Sequence, residues 1–269
     1  MEKPKLDIIG DWSEYKLQIL KKYAEAYVKI VKSRFKYIYI DAFAGAGMHI
    51  SKTTGDIVSG SPLNALNIEF PFDEYHFIDL DGVKVELLKD LSKDKSSVYI
   101  YQGDCNEILL DKVFPRVKYE DYRRGLCLLD PYGLHLNWSV IKKAGEMKSV
   151  EIFLNFPIMD INMNAIKRNP EKVTSEQAMR MTRYWGDESW KDVAYSSNGM
   201  LFEDMKGKTD NETLAEAFRK RLINDAGFKI VPKPIALKNT TGATLYYLYF
   251  ASQANVAGKI VGDIFKSHN

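Results

Sequence analysis

Asp130-Pro131-Tyr132-Gly133 is the stretch whose residue types speak most directly of a reaction. At a strand end, an Asp carboxylate and a proline carbonyl can accept both N–H hydrogens of a planar amine and aim its lone pair at an electrophile, while the tyrosine ring stacks on the base. Proline lacks an N–H and fixes its own φ, so its carbonyl is presented from a rigid turn. The same residues also suit an ordinary type I turn with proline at its second position. Three further stretches carry compatible chemistry. Asp41-Ala42-Phe43-Ala44-Gly45-Ala46-Gly47 offers a sharp turn with no large side chain in a ligand's way, and its glycines reach φ values closed to other residues. Asp79 suits the two hydroxyls of a ribose, with Asp81 as its near rival, although Asp81-Gly82 also reads as a helix cap. In Gly103-Asp104-Cys105 the carboxylate suits an adenine amino group, or else an N-cap for the helix through Leu110. Asn155 and Asp41 are further candidates for lining the same crevice, Asn155 being equally readable as a local turn former.

These groups act together only if the chain gathers them. Residues 13–35 place Leu17, Leu20, Ala24, Val28 and Val31 three or four apart, with Ser13 as N-cap and Glu14 in the first turn, which predicts an amphipathic helix. A strand over 37–43 follows, rich in β-branched and aromatic residues and halted by the glycine turn. Ser61-Pro62 is a helix start, leaving 48–60 as a long loop. Apolar runs at 75–79, 98–101, 125–129 and 150–156 alternate with helical stretches, the pattern of a parallel sheet with helices on both faces. Each of the four signals falls at a strand end, where such a sheet builds its ligand crevice. Past Pro157 the pattern turns irregular. Residues 158–204 contain Met159, Met163, Met179, Met181 and Met200, with Met205 just beyond, and are predicted to be a helical insertion or lid after the fifth strand. A helix over 213–226 closed by Gly227, strands at 228–237 and 244–251 joined through Asn239-Thr240-Thr241-Gly242, and a helix over 255–265 complete the chain. The expectation is a single α/β domain over 1–269, with a mostly parallel seven-stranded sheet and an antiparallel C-terminal pair.

Composition narrows the function classes. The 269 residues carry 38 Lys plus Arg against 36 Asp plus Glu, a net charge of +2, and 45% are hydrophobic. That is a globular balance with length enough for a substantial core, and it argues against coating nucleic acid by bulk charge. No apolar run is long enough for a membrane span and no leader follows Met1, so a cytoplasmic protein is expected. Cys105 and Cys127 with four histidines make neither a zinc cluster nor a disulfide scaffold. One window, 166–184, has a local basic excess through Lys167, Arg168, Lys172, Arg180 and Arg183, with Tyr184, Trp185 and Trp190 close behind. Interleaved cations and aromatics suit a nucleic-acid surface; the alternative is a solvated helix face over a core that uses the aromatics. A smaller basic cluster comprises Arg116, Lys118, Arg123 and Arg124.

The constellation resembles the class I S-adenosylmethionine-dependent methyltransferases, and more specifically the three-Cys-motif partner (TcmP) family. The similarity runs from Trp12 through the glycine turn of 41–47, Gly60-Ser61-Pro62, Phe77-Ile78-Asp79, Gly103-Asp104-Cys105-Asn106, Asp130-Pro131-Tyr132-Gly133 with Trp138, and the closing Tyr247-Leu248-Tyr249-Phe250. It implies a Rossmann-like methyltransferase fold, S-adenosylmethionine as cofactor with Asp41, Phe43, Ala44, Gly45 and Gly47 under its methionine part, Asp79 on the ribose, and Asp104 and Cys105 near the adenine. It also implies a three-cysteine-motif protein as partner. Asp130, Pro131 and Tyr132 look like the strand-four motif of amino-methyltransferases acting on nucleobases, with one proline where many have two. The resulting expectation is methyl transfer to an amine, foremost a nucleobase amino group in RNA or DNA. A non-catalytic module docking with the three-cysteine protein is the alternative. A nicotinamide oxidoreductase ranks lower, because no third glycine completes the Gly-x-Gly-x-x-Gly spacing after Gly47.

Overall fold

The computed structural model describes residues 6–195 and 209–267. Ile8–Ile9 (β1) leads through Gly10 into Asp11–Val31 (α1), whose predicted apolar face of Leu17, Leu20, Ala24, Val28 and Val31 is buried. The helix starts earlier than Ser13 because the Gly10 carbonyl already accepts the Ser13 N–H at 2.9 Å. Ser13 is thus an interior, buried position, and 32–35 turn the chain back rather than extending the helix. Lys36–Asp41 (β2) enters the sheet interior, and the glycine turn follows.

Where a loop was expected over 48–60, Met48–Ser51 (β3) and Ile57–Ser59 (β4) form an antiparallel hairpin, and β1 adds to it in parallel as a three-stranded sheet. Strands this short are below the length at which alternation is visible in a sequence. Ser61–Leu66 (α2), Glu74–Asp79 (β5), Gly82–Ser92 (α3), Val98–Gln102 (β6), Cys105–Ile108 (α4), Arg123–Leu129 (β7), Trp138–Met147 (α5) and Val150–Phe156 (β8) then follow. Helices Ile158–Asp160 (α6), Ser175–Trp185 (α7), Trp190–Ala194 (α8) and Asn211–Asn224 (α9) lead to Ile235–Lys238 (β9), Thr244–Ala251 (β10) and Asn255–Lys266 (α10).

The main sheet has seven strands in the order β6-β5-β2-β7-β8-β10-β9. β10 runs antiparallel to both neighbours and the pairs among the first five are parallel, as the alternation of strands and helices predicts. The strand expected over 228–237 shrinks to Ile235–Lys238, since Pro232 and Pro234 supply no N–H to a ladder; Ile230 keeps one isolated bridge to Ser252. Helix α9 begins at Asn211 because the Asp210 carboxylate caps it, accepting the Thr213 N–H at 2.8 Å.

One apolar cluster, with Ile38, Ile40, Cys127, Ile152 and Leu154, packs under α5 and α9; the other, with Tyr39, Phe77, Leu128, Phe153 and Phe250, packs under α1 and α10. Between β8 and α9 the chain feeds the first of these. Met181, Tyr184, Trp185 and Trp190 are buried, and Tyr184 and Trp185 pack on Phe218. These aromatics are therefore core residues, so of the two readings of the 166–184 window the solvated helix face over an aromatic core holds; α7 turns its apolar side inward and its charges outward. Residues 196–204 of the expected insertion, Met200 among them, and Met205 lie outside the described residues. Helix α1 is also joined to the sheet by a polar contact. The Tyr23 hydroxyl donates to Glu151 Oε2 at 2.5 Å and the Ser252 hydroxyl to Oε1 at 2.8 Å, at a carboxyl that burial holds above its ordinary range. Among the described residues, no helix is long and apolar enough to cross a membrane, and no group of three His, Cys, Asp or Glu side chains could hold a metal ion.

Candidate functional site

The carboxyl ends of β2, β5, β6 and β7 place the four sequence signals side by side. At the end of β2, Asp41 is fully buried, with Oδ1 accepting the Phe43 N–H at 3.2 Å. Burial pushes its carboxyl up to about 7, and the charge of Asp130 adds to the push; the Ser61 hydroxyl and the Phe43 amide offset part of it. The turn itself needs its glycines: Gly45 has φ 62 and Gly47 φ 78, in the left-handed region.

Asp79 braces this turn. Its Oδ2 accepts the Gly45 N–H at 2.7 Å and its Oδ1 the Asp81 N–H at 2.9 Å. Asp81 caps α3 by accepting from the Val83 N–H, so it is a helix cap rather than a rival for a ligand. Asp104 caps α4, its Oδ1 accepting from the backbone and side-chain amides of Asn106, both at 2.8 Å. Both aspartates nonetheless face a shared cavity, of about 1380 Å³. Phe43, Ala44, Gly45, Asp79, Asp104 and Cys105 line one part of it, and Asp130, Pro131 and Tyr132 another. Asp41 and Gly47 are not among the lining residues. Asp41 lies beneath the floor, and Gly47 packs toward Leu88 and Leu63 while its carbonyl accepts the Gly60 N–H at 2.7 Å. Burial pushes the Cys105 thiol up to about 12 and holds that of Cys127 well above its ordinary value, which leaves neither as a nucleophile at neutral pH.

At the end of β7 the structure adds two partners to Asp130. The Lys16 ammonium, almost wholly buried, pairs with Oδ2, and the Asn155 side-chain amide donates to Oδ1 at 2.7 Å. Asn155 was expected to line the crevice; it is buried behind Asp130 instead and holds it in place. Lys16 went unnoticed in the sequence although a signal existed, because it lies four residues before Leu20, on the stripe that α1 buries. Tyr132 is 86% exposed, its ring free at the mouth. The β3–β4 hairpin, the start of α1 and β10 bring further unforeseen neighbours, including His49, Trp12 and Tyr246 respectively. Trp12 stacks on Tyr246 with ring centroids 4.8 Å apart. His49 has a buried Nδ1 without a partner, and burial lowers its imidazole below the usual range. Lys167, Arg168, Arg180 and Arg183 do not line the cavity, and the Lys167 ammonium is engaged by the Lys172 carbonyl at 2.9 Å and Gln177 Oε1 at 3.1 Å.

No protein-family model matches the chain, and no curated protein sequence does. Among solved structures, a Legionella pneumophila protein described by the family model DUF519 aligns with a TM-score of 0.55 at 12% identity, covering 96% of this chain and 93% of that one. A putative methyltransferase from Thermobifida fusca aligns at 0.46, with 11% identity over 90% of this chain and 81% of that one. Fibrillarin from Aeropyrum pernix, solved with S-adenosyl-L-methionine bound, aligns at 0.43, with 7% identity over 89% and 76%. The last two scores are too low to carry an argument about this chain. The strand order and the full-length overlay agree on the fold, a Rossmann-like, mostly parallel seven-stranded sheet with an antiparallel C-terminal pair.

The donor set fits a nucleoside-bearing ligand. Toward Asp79 and Asp104 the cavity offers carboxylate acceptors, suited to hydroxyl and amino donors, beside an unobstructed backbone turn. Toward Asp130 it offers a carboxylate already oriented by two neighbours, the Pro131 turn and an open aromatic face.

Proposed function

We propose that this cavity binds S-adenosylmethionine and that the chain transfers its methyl group to an amine, the exocyclic amino group of a nucleobase in RNA or DNA. The observation that carries the reading is the opening of all four strand-end signals onto one cavity. At about 1380 Å³ it exceeds the roughly 300–1,000 Å³ of ordinary single-ligand sites, leaving room for cofactor and acceptor together. The cofactor, when bound, supplies the electrophilic methyl and its leaving group. The protein's task is alignment. A carboxylate has about four lone-pair sites, so Asp79 can take ribose hydroxyls while keeping the Gly45 N–H, and Asp104 can take the adenine amino group while capping α4. Asp130, fixed by Lys16 and Asn155, and the Pro131 carbonyl would accept the two amine hydrogens and turn the nitrogen lone pair toward the methyl. Tyr132 would stack on the base, which must first leave its own stack.

Calorimetry with S-adenosylhomocysteine tests the cofactor assignment. Asp79→Ala removes charged hydrogen bonds worth about 1.5–3 kcal/mol, so affinity should fall about 10- to 100-fold. No binding by the unmodified protein, or binding indifferent to this substitution, would sink the assignment. Tyr132→Ala separates acceptor from cofactor. Because the ring is so exposed, stability should change by less than about 0.5 kcal/mol. Transfer of labelled methyl to total cellular RNA or DNA at limiting acceptor should drop about tenfold through lost stacking. An undiminished rate would remove Tyr132 from the acceptor site.

On the same motifs we place the chain in the TcmP family, as a single domain over 1–269 with 158–204 inserted after the fifth main-sheet strand, working in the cytoplasm beside a three-cysteine-motif partner. Copurification with such a protein would test that assignment.

A further inference from the structure

Four lysines line the cavity, and they divide into two kinds. Lys16 is paired with Asp130, and Lys84 with Asp7 at 2.6 Å. Lys52, just past β3, and Lys238, at the end of β9, are exposed and have no ion-pair or side-chain hydrogen-bond partner among the described residues.

A continuous rim connects these two free cations. The Thr53 hydroxyl, next to Lys52, donates to the Asp11 carboxylate. Trp12 follows Asp11 and stacks on Tyr246 with an interplanar angle of 23°. Tyr246 pairs across the β9–β10 hairpin with Leu237, the residue before Lys238. The order along the rim is therefore cation, the Asp11 carboxylate held by the Thr53 hydroxyl, two half-buried aromatic rings, cation, with the Tyr132 ring also open to the same cavity. These residues are far apart in sequence and assemble only through the β1-β3-β4 sheet and the C-terminal hairpin.

We propose that this rim tracks a single-stranded polynucleotide, with Lys52 and Lys238 on backbone phosphates and the Trp12–Tyr246 pair against a base, so that the methyl acceptor is a nucleotide within a strand. The inference rests on the methyl-transfer reading and narrows its acceptor. A free nucleoside carries no phosphate for cations placed at the rim. A protein amine brings no planar base for the Trp12–Tyr246 pair to stack against. A strand supplies both the phosphate charge for the two lysines and the planes for the aromatic pair, and stacking tolerates any base. The proposal also moves the nucleic-acid surface away from Arg180 and Arg183, whose neighbouring aromatics are buried.

The test is fluorescence anisotropy of a short labelled mixed-sequence oligoribonucleotide, titrated with protein over a range of salt concentrations. The unmodified protein should bind, with log affinity falling linearly in log salt. In the Lys52→Gln, Lys238→Gln double variant the slope should shrink by about 1.4, at about 0.7 per phosphate contact on a single strand, and low-salt affinity should fall about tenfold or more. Arg180→Gln with Arg183→Gln should leave the slope where it was. An unchanged slope in the lysine variant, a loss that appears in the arginine variant instead, or no oligonucleotide binding by the unmodified protein would each overturn the proposal. S-adenosylhomocysteine calorimetry on the same samples reports on the underlying reading separately: heat of binding without oligonucleotide binding defeats the strand proposal alone, whereas absence of that heat defeats methyl transfer whatever the oligonucleotide does.

Discussion

Lys16→Met is expected to cost about 3 kcal/mol of stability and to slow methyl transfer about a hundredfold. The Lys16 side chain is 5% exposed and that of Asp130 28%, so the pair is shielded from most solvent screening. Removing one member of a buried pair strands the other charge, at about 3–5 kcal/mol. The lower end applies because Asp130 keeps the Asn155 amide and some contact with water. For a chain of this size the loss corresponds to a melting temperature lower by roughly 6–12 °C. The rate effect has a separate origin. With only Asn155 to orient it, the carboxylate can swing, and a displacement of about 1 Å in a positioning group costs about 10²-fold. Thermal melts and labelled-methyl transfer on Lys16→Met, Asp130→Asn and the double variant separate the two effects. In the double variant neither charge remains, so much of the stability should return while transfer does not. A Lys16→Met protein that melts and turns over like the parent would mean that the pair positions nothing.

Asp41 is expected to make stability depend on pH in the direction opposite to most carboxylates. Its folded value of about 7 lies above the unfolded value of about 3.9. Between those two values the folded chain holds a proton that the unfolded chain has released. The stabilisation is therefore fully present below about pH 4, and is lost progressively as pH rises through about 7. Asp41→Asn preserves the shape and an oxygen for the Phe43 N–H but cannot ionise. Relative to the parent, the variant should gain stability across that window, by up to about 4 kcal/mol at about 1.4 kcal/mol per pH unit. Chemical denaturation of both proteins from about pH 4 to 8 gives the difference directly. Parallel profiles would mean that Asp41 ionises in the ordinary carboxylate range.

The sheet was legible because buried parallel strands write themselves as largely apolar runs, as in 125–129 and, broken only by Glu151 and Asn155, in 150–156, and because helices between them carry a 3.6-residue period. Asp79, Asp104, Asp130 and the glycine turn were legible because a parallel sheet puts its loops at one edge, so that order along the chain becomes adjacency in space. Lys16 was not, since it reads as one more helical lysine, and Asn155 was legible as a neighbour of the crevice but not as the amide that holds Asp130. The β1-β3-β4 sheet escaped notice because strands of two to four residues carry no period. The tryptophans at 185 and 190 left two readings open, of which the core one holds. Basic and aromatic residues alternate in sequence both on a nucleic-acid surface and on a helix that buries one side, and only burial tells the two apart.

Helix α1 meets the sheet at two polar points, Lys16 on Asp130 and Tyr23 on Glu151. They are seven residues apart, about two helical turns, and so lie on one line along the helix. Apolar contacts by themselves let a helix roll or creep over a sheet at small cost, since one oily face is much like another. Two polar teeth seated in two slots do not: turning α1 by one residue, about 100°, withdraws both at once. The helix thereby has a fixed azimuth as well as a fixed place, and the setting made at Glu151, near the start of β8, is delivered two turns away as the position of the ammonium beside Asp130.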